Sequence, residues 1–204
     1  APGGSPKKAV LIGMLPRALP YAERFALARE VGFEGMEVNT IDDPADAEAI
    51  AKGAQAAKLP IHSVMNSEHW RSPLSSADAS VVDKSVKGML TSIGNAKLLG
   101  ADTVLLVPAV VDEKTGYKDA WDRSFKVIRE RILPEAEKQG IVIGIEEVWN
   151  KFLLSPLEMN AYVDSFKSKY VQAYFDVGNI VFYAYPQDWI RTLGARIRKV
   201  HLKD

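Results

Sequence analysis

Ile141-Val142-Ile143-Gly144-Ile145-Glu146-Glu147 carries two patterns at once. Ile141, Ile143 and Ile145 share one parity, which suits a strand face packed under helices. Val142, Gly144 and Glu146 share the other, with an acid in last place. In a parallel sheet curled into a barrel, one parity of each strand meets the helices. The other faces the interior and delivers polar groups to the C-terminal mouth.

Six further β-rich runs surround this one: Ala9–Leu15, Gly35–Asn39, Ile61–Asn66, Thr103–Ala109, Val171–Val177 and Lys199–Lys203. With Ile141–Glu147 their midpoints lie about 25–42 residues apart, the repeat of successive βα units. Between them, Trp121, Phe125, Ile128 and Ile132 step along one face of a helix. Ser155-Pro156-Leu157-Glu158 predicts a capped helix start, and Gly32, Gly100 and Gly140 predict helix ends just before strands. Alternating β and α implies a mostly parallel sheet covered by helices. No Gly-x-Gly-x-x-Gly turn follows the first run, which weakens an open dinucleotide-binding sheet. Parity favours the barrel instead. Val171, Ala173 and Phe175 face the helices while Gln172, Tyr174 and Asp176 face in. Met36 and Val38 face out while Gly35, Glu37 and Asn39 face in. Val200 and Leu202 face out while Lys199, His201 and Lys203 face in. The fold class expected is α/β, a (β/α)8 TIM barrel with about seven strands in this chain.

Composition agrees with a globular domain. The 204 residues include 26 basic and 26 acidic side chains, with 47% hydrophobic and 25% charged residues. Zero net charge removes any bulk attraction to nucleic acid or an anionic membrane. No apolar run approaches the roughly 20 residues of a membrane-spanning helix. Cysteine is absent, so disulfides and thiolate metal sites are excluded. Residues 1–7 read as a flexible polar segment, left by removal of a signal peptide or by a cut in the chain, so cytoplasmic and exported locations are both open. Residues 8–204 read as one barrel domain.

Glu146, Asp176 and His201 end three consecutive strands, 30 and 25 residues apart. Two carboxylates at close range need a compensating cation or proton. A divalent metal supplies that charge, and a neutral imidazole adds a third ligand; mostly oxygen with one nitrogen suits Mn2+, Mg2+, Co2+ or Zn2+. Taken singly, each of these side chains also suits a solvated or hydrogen-bonded strand end. Parity favours Glu146 over Glu147.

Four stretches carry a resemblance that runs from about Lys8 to Asp204: Gly32-Phe33-Glu34-Gly35-Met36-Glu37-Val38, Ile145-Glu146-Glu147-Val148-Trp149-Asn150-Lys151-Phe152, Tyr174-Phe175-Asp176-Val177-Gly178-Asn179 and Lys199-Val200-His201-Leu202-Lys203-Asp204. The chain resembles the xylose isomerase-like TIM barrels, the sugar phosphate isomerase/epimerase family. The resemblance implies one divalent metal held by Glu146, Asp176 and His201, with a fourth acid on an eighth strand that these 204 residues do not include. A typical barrel takes about 250 residues, so a longer natural protein, or another segment closing the barrel, is expected. The resemblance also implies that Glu146 doubles as an acid/base in proton transfer next to a carbonyl. The activity implied is isomerisation or epimerisation of a small sugar or hydroxy-ketone through an enediolate. Related barrels instead dehydrate an inositol-like ketone, cut DNA, or bind sugar without catalysis; three histidines and zero net charge weigh against the nuclease.

Further candidates for contact with a carbohydrate are Glu37, His62, His69, Trp70, Asn150, Asn179 and Lys203. Glu37 suits a sugar hydroxyl or an internal ion pair with Lys203 or Lys199. His62 suits the pocket or the core. His69 and Trp70 suit a loop over the substrate or loop packing. Asn179 stands three residues after Asp176, where epimerase-type relatives place a polar contact. The partner expected is a small carbohydrate, with no nucleic acid and no membrane; a homo-oligomer is open.

Overall fold

A computed structural model describes residues 5–203. Residues 1–4 of the N-terminal segment, and Asp204, lie outside the described residues; residues 5–8 have no regular secondary structure. Seven strands run in sequence order as one parallel sheet: β1 Ala9–Leu11, β2 Gly35–Asn39, β3 Ile61–Met65, β4 Thr103–Leu106, β5 Val142–Ile145, β6 Val171–Asp176 and β7 Ile197–His201. Eight α-helices connect and cover them: α1 Tyr21–Glu30, α2 Pro44–Ala57, α3 Ala79–Leu99, α4 Tyr117–Val127, α5 Leu133–Gln139, α6 Pro156–Ser165, α7 Val177–Val181 and α8 Pro186–Leu193. Among the described residues no helix is long and apolar enough to cross a membrane.

Local chemistry sets the helix ends as the sequence suggests. Ser155 accepts the Glu158 N–H at 3.2 Å, and Glu158 reaches back to the Leu154 N–H at 3.0 Å. Gly100 and Gly140 close α3 and α5 with φ of 74° and 72°, a conformation that strains any side chain with a Cβ. Between α4 and α5 the helix widens into a π turn over Ile128–Ile132, just before Pro134, which has no N–H to donate. Ile128 and Ile132 still reach the core.

The parity expected for β2, β5 and β6 is the parity found. Met36, Val38, Ile143, Ile145, Ala173 and Phe175 all join the large core between sheet and helices. A second, smaller core lies on the opposite face, built from Leu105, Val107, Val148 and Tyr174. Gly144 is matched to it, since a Cβ there would stand 2.9 Å from the Tyr174 ring. The sheet curls far enough that β2 and β7, five places apart in strand order, touch through Glu37 and His201.

Strand limits differ from the sequence expectation mostly at the C-terminal ends. β1 stops at Leu11, where Ile12–Met14 turns into a 3-10 helix, and β4 stops at Leu106. There the chain leaves the ladder to build the loops of the mouth. At the other end, β7 begins two residues before Lys199, because Ile197 pairs with Ala173. Two register shifts break simple alternation, one beside Met36/Glu37 against β3 and one beside Ala173/Tyr174 against β7.

Candidate metal centre

β6 and β7 end side by side, with Asp176 the ladder partner of His201. One step along the sheet, the Glu146 N–H still donates to the Leu106 carbonyl at 3.0 Å, which carries its side chain to the same level. Glu146, Asp176 and His201 each present a ligand atom within 4.8 Å of the others. Glu146 and Asp176 are buried and His201 is partly exposed, so the cluster opens to one side.

The imidazole stands between two carboxylates. His201 Nδ1 lies 3.0 Å from Glu146 Oε1 and 3.9 Å from Asp176 Oδ2, while Nε2 lies 2.8 Å from Glu37 Oε2. Burial works against a charge on His201, but the hydrogen bonds of Glu146 and Glu37 prevail and push its pKa up to about 10. Burial raises the Glu146 carboxyl above the ordinary glutamate value, against the pull of His201, and the nearby Asp176 charge adds to the rise. Burial would also raise Glu37, yet its bonds to His201, Ser63 and Tyr174 outweigh it and hold the group low.

Asp176 divides its labour. Oδ1 accepts the Asn179 N–H at 2.9 Å and caps α7. Oδ2 is buried and makes no hydrogen bond, although the Lys203 ammonium stands 2.7 Å away as an ion pair. The lysine reaches it by crossing Gly178, where a Cβ would collide with the Lys203 stem and carbonyl.

Two buried carboxylates and an imidazole converge, one carboxylate oxygen lacks a hydrogen bond, and the charges now offsetting them are a protonated imidazole and the Lys203 ammonium. A donor set of two oxygens and one nitrogen suits a divalent ion. The residues present fit such an ion.

The other candidates divide. Glu37 takes neither lysine as partner: Lys203 pairs with Asp176 and Lys199 with Asp102, and Glu37 bonds to His201 instead. His62 lies against Gly35 at the start of β2, away from the mouth, and no hydrogen bond ties it to the three ligands; burial and then Lys199 lower its pKa to about 4. His69 is buried in the loop after β3, where Nδ1 accepts the Val107 N–H at 3.3 Å and burial lowers its pKa to about 3. Trp70 packs edge-on to it and leaves its own ring largely exposed. Asn150 ties its loop to Ala109 O at 2.5 Å and to the Phe152 N–H at 3.1 Å. Asn179 donates to Glu147 O at 2.7 Å and accepts the Trp149 indole N–H on its backbone carbonyl. Both asparagine side chains therefore hold loops in this geometry. Lys203 alone of the outer candidates points a charged group into the cluster.

Ser63 and Tyr174 were not among the sequence candidates. Tyr174 had the inward parity that could have singled it out. Ser63 had no such signal, because the register shift beside Met36/Glu37 places it opposite Glu37.

The profile of the xylose isomerase-like TIM barrel matches residues 25–204. The chain belongs to that family. A Haemophilus influenzae protein provisionally named L-ribulose-5-phosphate 3-epimerase SgbU is 25% identical over 205 residues, covering 93% of this chain and 70% of its own. Among solved structures, a D-psicose 3-epimerase crystallised in the presence of D-fructose matches with a TM-score of 0.82 at 19% identity, over 98% of this chain and 73% of the other. An L-ribulose 3-epimerase matches with the same TM-score and identity, over 97% and 70%. At this identity the structural likeness establishes the fold: a TIM-barrel sheet, seven strands of which lie in the described residues.

Proposed function

We propose that this chain acts as a divalent-metal-dependent sugar isomerase or epimerase, acting on a small sugar or hydroxy-ketone by proton transfer through an enediolate. The observation that carries the reading is the meeting of Glu146, Asp176 and His201 at one mouth of a curled parallel sheet. The names of its relatives, sugar 3-epimerases, point to the same chemistry.

Glu146, Asp176 and His201 would hold the ion, which when bound supplies Lewis acidity to a neighbouring carbonyl and hydroxyl. The protein side of the reaction rests on Glu146. Burial raises its proton affinity above that of an ordinary glutamate, which makes it a stronger base toward a hydrogen on carbon. Asp176 is oriented by the α7 cap on Oδ1, which keeps Oδ2, the oxygen paired with Lys203, aimed into the cluster. Lys203 sits where it can turn from Asp176 toward a substrate oxygen. Epimerisation needs a second acid/base across the substrate plane, which the family resemblance assigns to an eighth strand.

The test combines metal analysis of the purified protein with incubation of ketoses in deuterated water. Bound divalent metal, with deuterium entering beside the carbonyl as the isomer or epimer forms, is the result expected. Loss of water from the substrate would make the protein a lyase, and sugar binding with neither metal nor exchange would make it a binding module; either overturns the proposal.

A further inference from the structure

His201 is gripped from both sides, and the grip from Glu37 is the more elaborate. Glu37 is 3% exposed and lies inside the curled sheet. Its Oε1 accepts hydrogen bonds from Ser63 Oγ at 2.8 Å and from the Tyr174 hydroxyl at 2.9 Å. Its Oε2 faces His201 Nε2 at 2.8 Å. The three groups that hold it come from β3, β6 and β7, so the carboxylate has little freedom to rotate.

A carboxylate offers only lone pairs, so each His201 nitrogen facing one carries a hydrogen while no cation is present, and a cation held between Glu146 and Asp176 would displace the hydrogen on Nδ1 and leave the one on Nε2 bound to Glu37. With that hydrogen on Nε2, the nitrogen left to act as a donor toward a cation is Nδ1, which faces Glu146 and Asp176. The Tyr174 ring adds a steric wall, its centroid 4.6 Å from that of His201. Carboxylates commonly orient metal-bound histidines this way, and losing such a partner typically lowers metal affinity roughly 10- to 100-fold.

We propose that Glu37, held by Ser63 and Tyr174, is a positioning residue that fixes the His201 ring so that Nδ1 is the nitrogen offered to the metal, rather than a contact for sugar. This rests on the reading of Glu146, Asp176 and His201 as the metal site. It also makes a chemical prediction particular to Glu37→Gln. The two hydroxyl donors favour the amide oxygen at the Oε1 position, which turns the amide N–H2 toward His201. Two N–H groups cannot face each other, so His201 gives up the hydrogen on Nε2 and keeps the one on Nδ1 that faces Glu146, and the ring presents the wrong nitrogen.

The experiment uses the full chain with zinc as probe. Zinc affinity is measured by competition with a chromophoric chelator, and the ring nitrogens by 15N correlation spectra of histidine-labelled protein, in which only three histidines contribute. Wild-type protein is expected to bind zinc through His201 Nδ1 with hydrogen on Nε2. Glu37→Gln is expected to bind roughly 10- to 100-fold more weakly, with the His201 pattern changed and those of His62 and His69 unmoved. Tyr174→Phe keeps the ring and removes one hydroxyl; a loss of a few-fold is expected and reports on the network should Glu37→Gln fold poorly. Glu37→Asp is expected to keep hydrogen on Nε2 and recover part of the affinity. Equal zinc affinity and an unchanged His201 pattern in Glu37→Gln, or equal zinc affinity in Tyr174→Phe if it alone folds, would overturn the role of the Glu37 network while leaving the metal site standing. Failure of wild-type protein to bind zinc would overturn the metal-site reading itself, and the proposal with it.

Discussion

Glu147 Oε1 accepts the backbone N–H of Asp176 at 3.1 Å, so the second of two adjacent glutamates braces the residue whose side chain meets the first. Glu146 and Glu147 look interchangeable in sequence. In the fold one faces the cluster, and the other is buried behind it with its carboxyl raised well above the ordinary value by burial. The two therefore answer differently to the same change. Glu146→Gln is expected to lower turnover by about 10²- to 10⁴-fold with little change in sugar affinity. Glu147→Gln keeps an acceptor for the Asp176 N–H and is expected to leave turnover within a few-fold. Steady-state kinetics on both variants checks this, and the reverse order would move the chemistry to Glu147.

Asp176 combines a capping role with a cluster role, and two substitutions separate them. Asp176→Asn retains an oxygen that can cap α7, so it should lose divalent metal on dialysis while melting close to the wild-type protein. Asp176→Ala should lose metal and also about 1 kcal/mol of stability with the cap. Metal content and thermal melting of the pair give the answer; full metal retention in both would count against Asp176 as a ligand.

Because His201 is held protonated up to about pH 10 between Glu146 and Glu37, a metal that takes one of its nitrogens must displace a proton. Binding at pH 7 is expected to release about one proton from this residue, and apparent affinity to rise about tenfold per pH unit on that account. Calorimetric titration in buffers of different ionisation heat measures the release. A heat independent of buffer would mean that His201 does not join the metal.

His69 gives a stability prediction with a definite sign. Its folded pKa of about 3 lies below the ordinary histidine value, because its ring is buried. The unfolded chain therefore takes up the proton first. The full contribution is present above about pH 6.5 and drains away as pH falls toward 3, amounting to a loss on the order of 5 kcal/mol. Denaturant unfolding between pH 7 and 4 should show the fall, and His69→Gln should flatten it. An identical slope in the variant would assign the acid sensitivity elsewhere.

Gly144 is a packing position. A methyl there would meet Tyr174 Cδ2 at 2.9 Å and Thr103 Cγ2 at 3.2 Å. Gly144→Ala is expected to cost about 1–3 kcal/mol through overpacking, visible as a drop in melting temperature. An unchanged melting temperature would show that Tyr174 yields without strain.

Much of the architecture follows from local rules. Alternation in Gly35–Asn39, Ile141–Glu147 and Val171–Val177 sends Glu37, Glu146 and Asp176 inward because successive side chains of an extended backbone point to opposite faces. The capped start at Ser155 and the turns at Gly100 and Gly140 are likewise local. Pairing within the site is not. Glu37 and His201 are 164 residues apart and meet only because the sheet curls. Ser63 reaches Glu37, and Arg198 and Lys199 both reach Asp102, beside register shifts that a period of two does not foresee. Asn150 and Asn179 turn out to hold loops because their partners, Ala109 O and Glu147 O, are brought near by the connections above the sheet. The order of residues settled which side chains face the interior; the curl and register of the strands, set by packing between segments distant in the chain, decided which of them touch.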